Sequence, residues 1–256
     1  MLRYVFNDSE ITQWIYVKAN SRVVEFVVKA NWRERFVVVK NEFRLGIKGL
    51  HAVYEIPYGV IERPNRPGNS WEAAKFEVPA WRWGGDLSDD DYGVAILNRG
   101  GVQGYGARDN VIGLTLWRSP MFPPNPFLDY GNVTVEYAIY PHIGDWVSAR
   151  VPKVAQAYNT PLRPVNGYAG EMKFLEISTD SVLMESVKLG EDDSSLIMRL
   201  WEPYGKHTIV GIRIAGRFSN AEETDLLERG VGKVDLSAIQ LSPFEIKTIA
   251  LRNWTL

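Results

Sequence analysis

Apolar and polar residues alternate with a period of two through most of the chain. The first third carries the pattern in residues 13–18 (QWIYVK), 22–29 (RVVEFVVK) and 35–40 (RFVVVK). Successive side chains of an extended strand point to opposite faces, so each β-branched, aromatic run predicts a strand with one buried side. The short polar separators between the runs predict a meander. Residues 43–47 predict a further short strand. Residues 51–56 and 60–63 flank Pro57-Tyr58-Gly59, a turn or bulge, and 64–69 read as a rigid surface loop punctuated by proline and glycine.

The middle continues in this style. Residues 74–79, 92–97 (YGVAIL), 112–117 (IGLTLW) and 133–140 (VTVEYAIY) predict strands, with an acidic loop at 86–91. Only 145–158 has helical spacing, through Trp146, Val147, Val151, Val154, Ala155 and Tyr158, with Pro152 limiting its first turn. A boundary is expected in 159–170 (NTPLRPVNGYAG). Beyond it, short strands are predicted at 174–178, 182–188, 196–202, 208–214, 221–227 and 244–251. The expected fold class is all-β: a sandwich over 1–160 and a smaller β-sandwich over 168–256, because two packed sheets are the simplest way to bury so many alternating faces.

Composition narrows the function. At 45% apolar, 256 residues can bury a sizeable core. With 29 basic and 31 acidic residues the net charge is -2, so no basic face argues for nucleic acid. Cysteine is absent, which excludes disulfides and thiolate metal sites. The opening MLRYVFNDSE lacks a signal-peptide pattern and no apolar run approaches membrane-spanning length, so no membrane association and cytoplasmic residence are the expectations.

The candidate chemistry lies in the aromatic, proline-rich block from Tyr54 to Arg118. His51, His142 and His207 are the only histidines and form no compact ligand spacing, so no metal site is expected in this chain. Nucleophile elbows, P-loops and dinucleotide fingerprints are absent. LNRGGVQGYGARDN reads as a glycine-rich loop between strands, with Tyr105 either packed against a neighbour or at a tip lining a glycan groove. In the acidic run Asp86, Asp89, Asp90 and Asp91, Asp86 is the better candidate for a fixed role and the others read as a solvated turn. Trp81 and Trp83 would share one face of an extended segment with Arg82 on the other, able to stack on sugars or to pack a core. Arg118 could fix a carboxylate or a loop through its donor fork.

The ordered series YEIPYGVIERP, NSWEAAKFEVPAWRW, DLSDDDYGVAILN, GYG, LTLWRSP, EYAIYPHIGDW and LSPFEIKTIAL resembles, over nearly the whole chain, the C-terminal β region of family 38 α-mannosidases. These are retaining, metal-dependent glycoside hydrolases. The resemblance implies a partial galactose-mutarotase-like supersandwich over 1–160, followed by the smaller sandwich. It implies that zinc and the aspartate nucleophile belong to a partner catalytic domain or subunit, with no cofactor and no catalytic residue in this chain. It carries over Glu55, Pro57, Tyr58, Gly59 and Arg63; Trp71, Glu77, Pro79, Arg82 and Trp83; Asp86 and Leu87; Tyr105 and Gly106; Arg118, Ser119 and Pro120; Pro141 and His142; and Pro243, Phe244 and Glu245.

Three departures stand out. One extra residue lies between Trp83 and Asp86, which could re-aim the carboxylate. The family's aspartate-containing loop reads Asn98-Arg99-Gly100-Gly101 here, and Pro123-Pro124-Asn125-Pro126 should form a stiff loop. The expected substrate-binding or partner-facing residues are Trp81, Arg82, Trp83, Asp86, Tyr105, Arg118 and His142. The expected partners are an α-mannosidase-like catalytic domain or subunit and α-mannoside glycans. A stand-alone carbohydrate-binding module and a structural interaction domain are the alternatives.

Overall fold

The computed structural model describes the chain except residues 90, 101, 103, 120–128, 165, 168–172 and 193. The expected stiff loop at 123–126 and Asp90 lie outside the described residues. The chain divides into two compact units, Met1–Pro161 and Leu162–Leu256.

The first unit contains β1 (Leu2–Phe6), β2 (Ser9–Val17), β3 (Val24–Trp32), β4 (Val38–Arg44), β5 (His51–Ile56), β6 (Gly59–Pro64), α1 (Ser70–Ala73), β7 (Trp83–Ser88), β8 (Tyr92–Asn98), β9 (Gly104–Arg108), β10 (Val111–Arg118), β11 (Gly131–Ile143) and α2 (Val151–Asn159). Eight strands form a large antiparallel sheet in the order β1-β2-β3-β11-β8-β7-β5-β6, and β4-β10-β9 form a small one. Phe26, Val28, Tyr54, Ile96, Val135 and Tyr137 on the large sheet meet Tyr105, Ile112, Leu114 and Trp117 on the small sheet in one core. The intervening residues Val53, Ala95, Leu97, Ala138 and Tyr140 pack the opposite face against Val151, Ala155 and Tyr158 of α2. The period-two alternation is thus spent on two buried faces, and the large sheet is the middle layer.

The small sheet does not cover the whole core-facing side. Leu2, Tyr4 and Phe6 lie opposite Gln13, Ile11 and Ser9, and Gln13 and Ile11 pair on their other side with Val28 and Ala30 of β3. Leu2, Tyr4, Phe6, Ile15 and Val17 therefore continue the core-facing side, yet all five are exposed.

Turn chemistry closes the hairpins. Asp109 and Asn110 both have positive φ in the two-residue link between β9 and β10, as a type I′ turn requires. Pro57 precedes Tyr58 at φ 57° between β5 and β6, and Pro followed by positive φ is the pattern of a type II turn.

Several local expectations are corrected. Residues 74–79 form no strand; only Val78 bridges to Tyr105, and an Asn69 side-chain cap on the Glu72 amide starts the short α1 just before them. The helix begins at Val151 rather than 145, because Arg150 turns left-handed at φ 57°. The glycine-rich segment is not wholly loop, since residues 104–108 pair with β10 as β9.

The second unit contains β12 (Leu175–Ile177), β13 (Leu183–Leu189), β14 (Leu196–Trp201), β15 (Thr208–Val210), β16 (Ile212–Ile214), β17 (Asn220–Thr224), β18 (Gly230–Lys233), β19 (Ile239–Leu241) and β20 (Ile246–Arg252). A five-stranded sheet, β13-β14-β20-β17-β18, faces the ribbons β12-β16 and β15-β19. Leu196, Met198, Leu200, Ile249 and Leu251 meet Val210, Ile212, Ile239 and Leu241 between them. The expected strand at 208–214 is split between the two ribbons. The all-β expectation holds for both units.

Candidate functional site

The extra residue between Trp83 and Asp86 is absorbed as a β-bulge. Gly84 pairs with Ile96 and Leu87 with Val94, so β7 spends one more residue than β8, and Gly85 adopts φ 61°. A glycine in the left-handed region carries this insertion without a Cβ clash. Asp86 then lies opposite Val53, with Leu87 in the core between the sheets.

On that face, Asp86 Oδ2 is 2.8 Å from His142 Nε2, and both side chains are fully buried. Strand β8 runs between their strands, and Gly93 is the β8 residue opposite both His142 and Ser88. A Cβ at Gly93 would stand 2.5 Å from the imidazole Cε1. The missing side chain gives the ring its passage to Asp86. His142 Nδ1 lies 3.1 Å from the Gly144 carbonyl, so Nδ1 carries a proton and donates it there. Burial, opposed by the bond and charge of His142, pushes the Asp86 carboxyl above the ordinary aspartate range.

A second buried pair lies at the start of the same segment. Arg82 donates through Nη2 to Glu55 Oε1 at 2.8 Å and through Nε at 3.1 Å, while its backbone N–H donates to Glu55 Oε2 at 2.8 Å. The guanidinium lies 4.3 Å from the Trp81 ring centroid, and Trp81 meets Tyr58 edge-on. Trp83 is fully buried and packs against Trp146. Trp81 and Trp83 therefore do not share a face: the segment bends before β7, which leaves Trp81 partly exposed. Tyr105 sits inside β9, not at a loop tip, and its hydroxyl accepts from Asn98.

Arg118 occupies the end of β10, half-exposed. Its Nη2 donates to Glu77 Oε2 at 2.6 Å, and Glu77 Oε1 accepts from Lys40 at 2.6 Å and from the Thr115 hydroxyl. Burial raises the Glu77 pKa, but the bonds from Lys40 and Thr115 and the charges of Lys40 and Arg118 outweigh it and leave the carboxyl lowered. Asp89 caps its own turn by accepting from the amides of Asp91 and Tyr92.

Of the seven residues expected to face sugar or partner, Arg82, Trp83, Asp86, Tyr105 and His142 are interior, and Trp81 and Arg118 keep exposure. Those five are buried in this unit, and Arg82, Asp86, Tyr105 and His142 bond to partners within the fold. Both nitrogens of His142 are engaged, so the Asp86–His142 pair does not fit a zinc centre. Among the described residues no group of three or more His, Asp or Glu could hold a metal ion, and no helix is long and apolar enough to cross a membrane.

Sequence reasoning missed Glu202, which is fully buried and accepts backbone N–H bonds from Tyr204, Lys206 and Phe244 at 2.9, 3.0 and 3.0 Å. Its acidic character at a strand end was visible, but its distant partner at Phe244 was not.

Comparison with known proteins assigns the whole. Residues 1–126 match the glycosyl hydrolases family 38 C-terminal domain, and residues 181–249 match the family 38 C-terminal beta sandwich domain. The chain belongs to family 38 as a C-terminal β region. It is 32% identical to Alpha-mannosidase G of Dictyostelium discoideum and 32% identical to Alpha-mannosidase 2C1 of Mus musculus, over 94% and 95% of its length. It spans only 23% and 24% of those relatives. An alpha-mannosidase structure from Enterococcus faecalis shares the fold, with a TM-score of 0.81 at 20% identity over 95% of this chain and 29% of that one.

Proposed function

We propose that this chain is the non-catalytic C-terminal β part of an α-mannosidase, completing the enzyme beside a catalytic domain or subunit that carries zinc and the nucleophile. The reaction served is hydrolysis of α-mannosides. The observation that carries this reading is the uncovered apolar side of β1 and β2, where Leu2, Tyr4, Phe6, Ile15 and Val17 extend a core-facing surface beyond its covering sheet. A contiguous apolar face of this kind calls for a partner layer. The relatives supply a reason for one, since this region is under a quarter of their length. Arg118, held by Glu77 at the half-exposed end of β10, is the residue best placed to reach across to a partner's pocket and orient a sugar there. A cysteine-free chain suits a reducing compartment, and cytoplasmic residence is part of this reading.

Co-expression with a candidate catalytic part tests the proposal. The expected result is a complex with zinc-dependent α-mannosidase activity that neither part shows alone, and loss of complex formation in the double variant Tyr4→Glu, Ile15→Lys with the isolated fold preserved. Turnover by the rigorously purified chain alone would sink the non-catalytic assignment. Undiminished assembly of the double variant would remove the β1–β2 face from the interface.

A further inference from the structure

The first unit also holds a groove of about 630 Å³, lined by residues of β4, β5, β6, β9 and β10 and of the segment around Phe76. Tyr54 and Arg63 reach into it from adjacent strands: Ala52 faces Arg63 and Tyr54 faces Ile61 on the core-facing side. The Arg63 guanidinium lies 6.0 Å from the Tyr54 ring centroid. Its Nε is buried and has no hydrogen-bond partner. Tyr54 is 2% exposed, lines the groove, and its hydroxyl bonds to no described residue. Burial, partly opposed by Arg63, pushes the Tyr54 phenol up to about 12, so it stays a donor. Buried donors are satisfied in the great majority of native proteins, and two adjacent ones at residues that line a groove call for acceptor atoms from outside the fold.

The charges along the groove identify the acceptor. Five cationic and five anionic side chains line it, so it has no net field to draw a phosphate or carboxylate. Several of the acids are already engaged: Glu72 accepts from the Gly68 amide and Glu77 from Lys40. Glu42, exposed on β4 and lining the groove, remains able to accept. Phe76 is 72% exposed at the rim and adds an apolar surface. Donors that need acceptors, carboxylates that can take hydroxyl protons and an aromatic rim together match a neutral polyol. A hydroxyl both donates and accepts, and a pyranose has one apolar face. The volume falls in the range of small-molecule sites, roughly 300–1,000 Å³.

We propose that this groove is a carbohydrate-binding site for a neutral pyranoside, with Tyr54 and Arg63 donating to its ring or hydroxyl oxygens and Phe76 packing against its apolar face. The site belongs to this chain alone and does not depend on assembly with a catalytic part. Titration of the isolated 256-residue chain with methyl α-mannopyranoside and α-linked mannobiose, followed by calorimetry and by the Arg63 Nε–H NMR signal, tests it. The expected result is saturable binding in the millimolar range with a moving Arg63 Nε–H signal, weakened about tenfold in Arg63→Lys and several-fold in Tyr54→Phe, as loss of one hydrogen bond to ligand implies. Absence of saturable binding to about 50 mM of either sugar would overturn the proposal, as would an unmoved Arg63 signal at saturation. Tighter binding of glucuronate or inorganic phosphate than of the neutral sugars would overturn the ligand class. The Arg63 signal is read on the parent chain, so the test holds even where a variant fails to fold.

Discussion

The His142 imidazole reaches Asp86 by crossing β8 above Gly93, so two residues 56 positions apart share a 2.8 Å contact wholly inside the fold. Since Nδ1 of His142 donates to Gly144, one proton lies between Nε2 and the carboxylate. An asparagine at 86 can donate its amide to that same Nε2, whereas alanine leaves the ring nitrogen facing a void. Asp86→Ala is expected to destabilise the first unit by about 3 kcal/mol or more, and Asp86→Asn by clearly less. The pH sense follows from the raised Asp86 value. The folded chain holds that proton more tightly than the unfolded chain. The Asp86 contribution is therefore greatest at acid pH and is lost as pH rises from about 4 through the elevated native value. Urea unfolding across pH should show Asp86→Asn recovering relative to the parent as pH increases. A pH-independent difference would remove the assignment of the titration to Asp86.

The Glu55–Arg82 pair poses the opposite situation, a buried charge pair with every close contact supplied by the chain. Glu55 is fully buried and accepts both from the Arg82 side chain and from its backbone amide. Removing either partner strands a charge in a low-dielectric interior. Glu55→Ala or Arg82→Ala should each destabilise by about 3–5 kcal/mol. The combination Glu55→Gln with Arg82→Met should lose less than the sum of the single changes, and a double-mutant cycle from denaturant curves measures that coupling. Additivity would show that the two side chains act independently.

The strands were legible because their alternation is long and strong, as in residues 24–32, where Phe26, Val28, Ala30 and Trp32 are buried while Lys29 and Asn31 are exposed, and in residues 133–140. What failed was local. Gly104 and Gly106 mask β9 because glycine has low strand propensity, yet a Cβ at 104 would stand 3.1 Å from the Glu77 carboxylate and one at 113 would stand 2.9 Å from the Asn41 carbonyl. Trp81 and Trp83 part company because the chain bends before the β7 bulge, which a period-two pattern cannot anticipate. The pairs that organise the candidate site, Glu55 with Arg82 and Asp86 with His142, join strands distant in sequence, and nothing in the linear order states that adjacency. The family resemblance named these residues but could not say which of their side chains point inward.

Glu77 links this block to the exposed end of β10. Its carboxyl is lowered, so the sign is the reverse of Asp86: its contribution is present above the ordinary glutamate range and fades as pH falls through the native value. Glu77→Gln should lower stability by about 1 kcal/mol near neutrality, the pair with Arg118 being only half-sheltered, and the difference should vanish towards about pH 3. The same substitution releases one anchor of Arg118. In an assembled enzyme it should raise KM for an α-mannoside more than it lowers kcat, with Glu77→Asp recovering part of the loss. Unchanged kinetics in a verified complex would place Arg118 away from the sugar.

In the second unit a single carboxylate closes a turn. Glu202 follows β14 and binds the amides of Tyr204 and Lys206 with one oxygen each, while Oε2 also takes the amide of Phe244, which is held at φ 59° just before β20. Gly205, at φ 71°, packs so close to the Phe244 ring that a Cβ there would stand 2.9 Å from it. The Pro243-Phe244-Glu245 step is therefore fixed from two sides, by the Glu202 hydrogen bond and by contact with a residue that tolerates no side chain. Glu202→Ala would leave three buried or half-buried amides without acceptors. Glu202→Gln retains one carbonyl oxygen for them and turns the other end into a clashing donor. Thermal and urea unfolding should show a loss of about 3 kcal/mol or more for alanine and an intermediate loss for glutamine. Hydrogen exchange should localise the effect, with the Tyr204, Lys206 and Phe244 amides losing protection before the strands of the five-stranded sheet. Alanine tolerated with parental protection at all three amides would show that the turn is held by the Phe244–Gly205 packing instead.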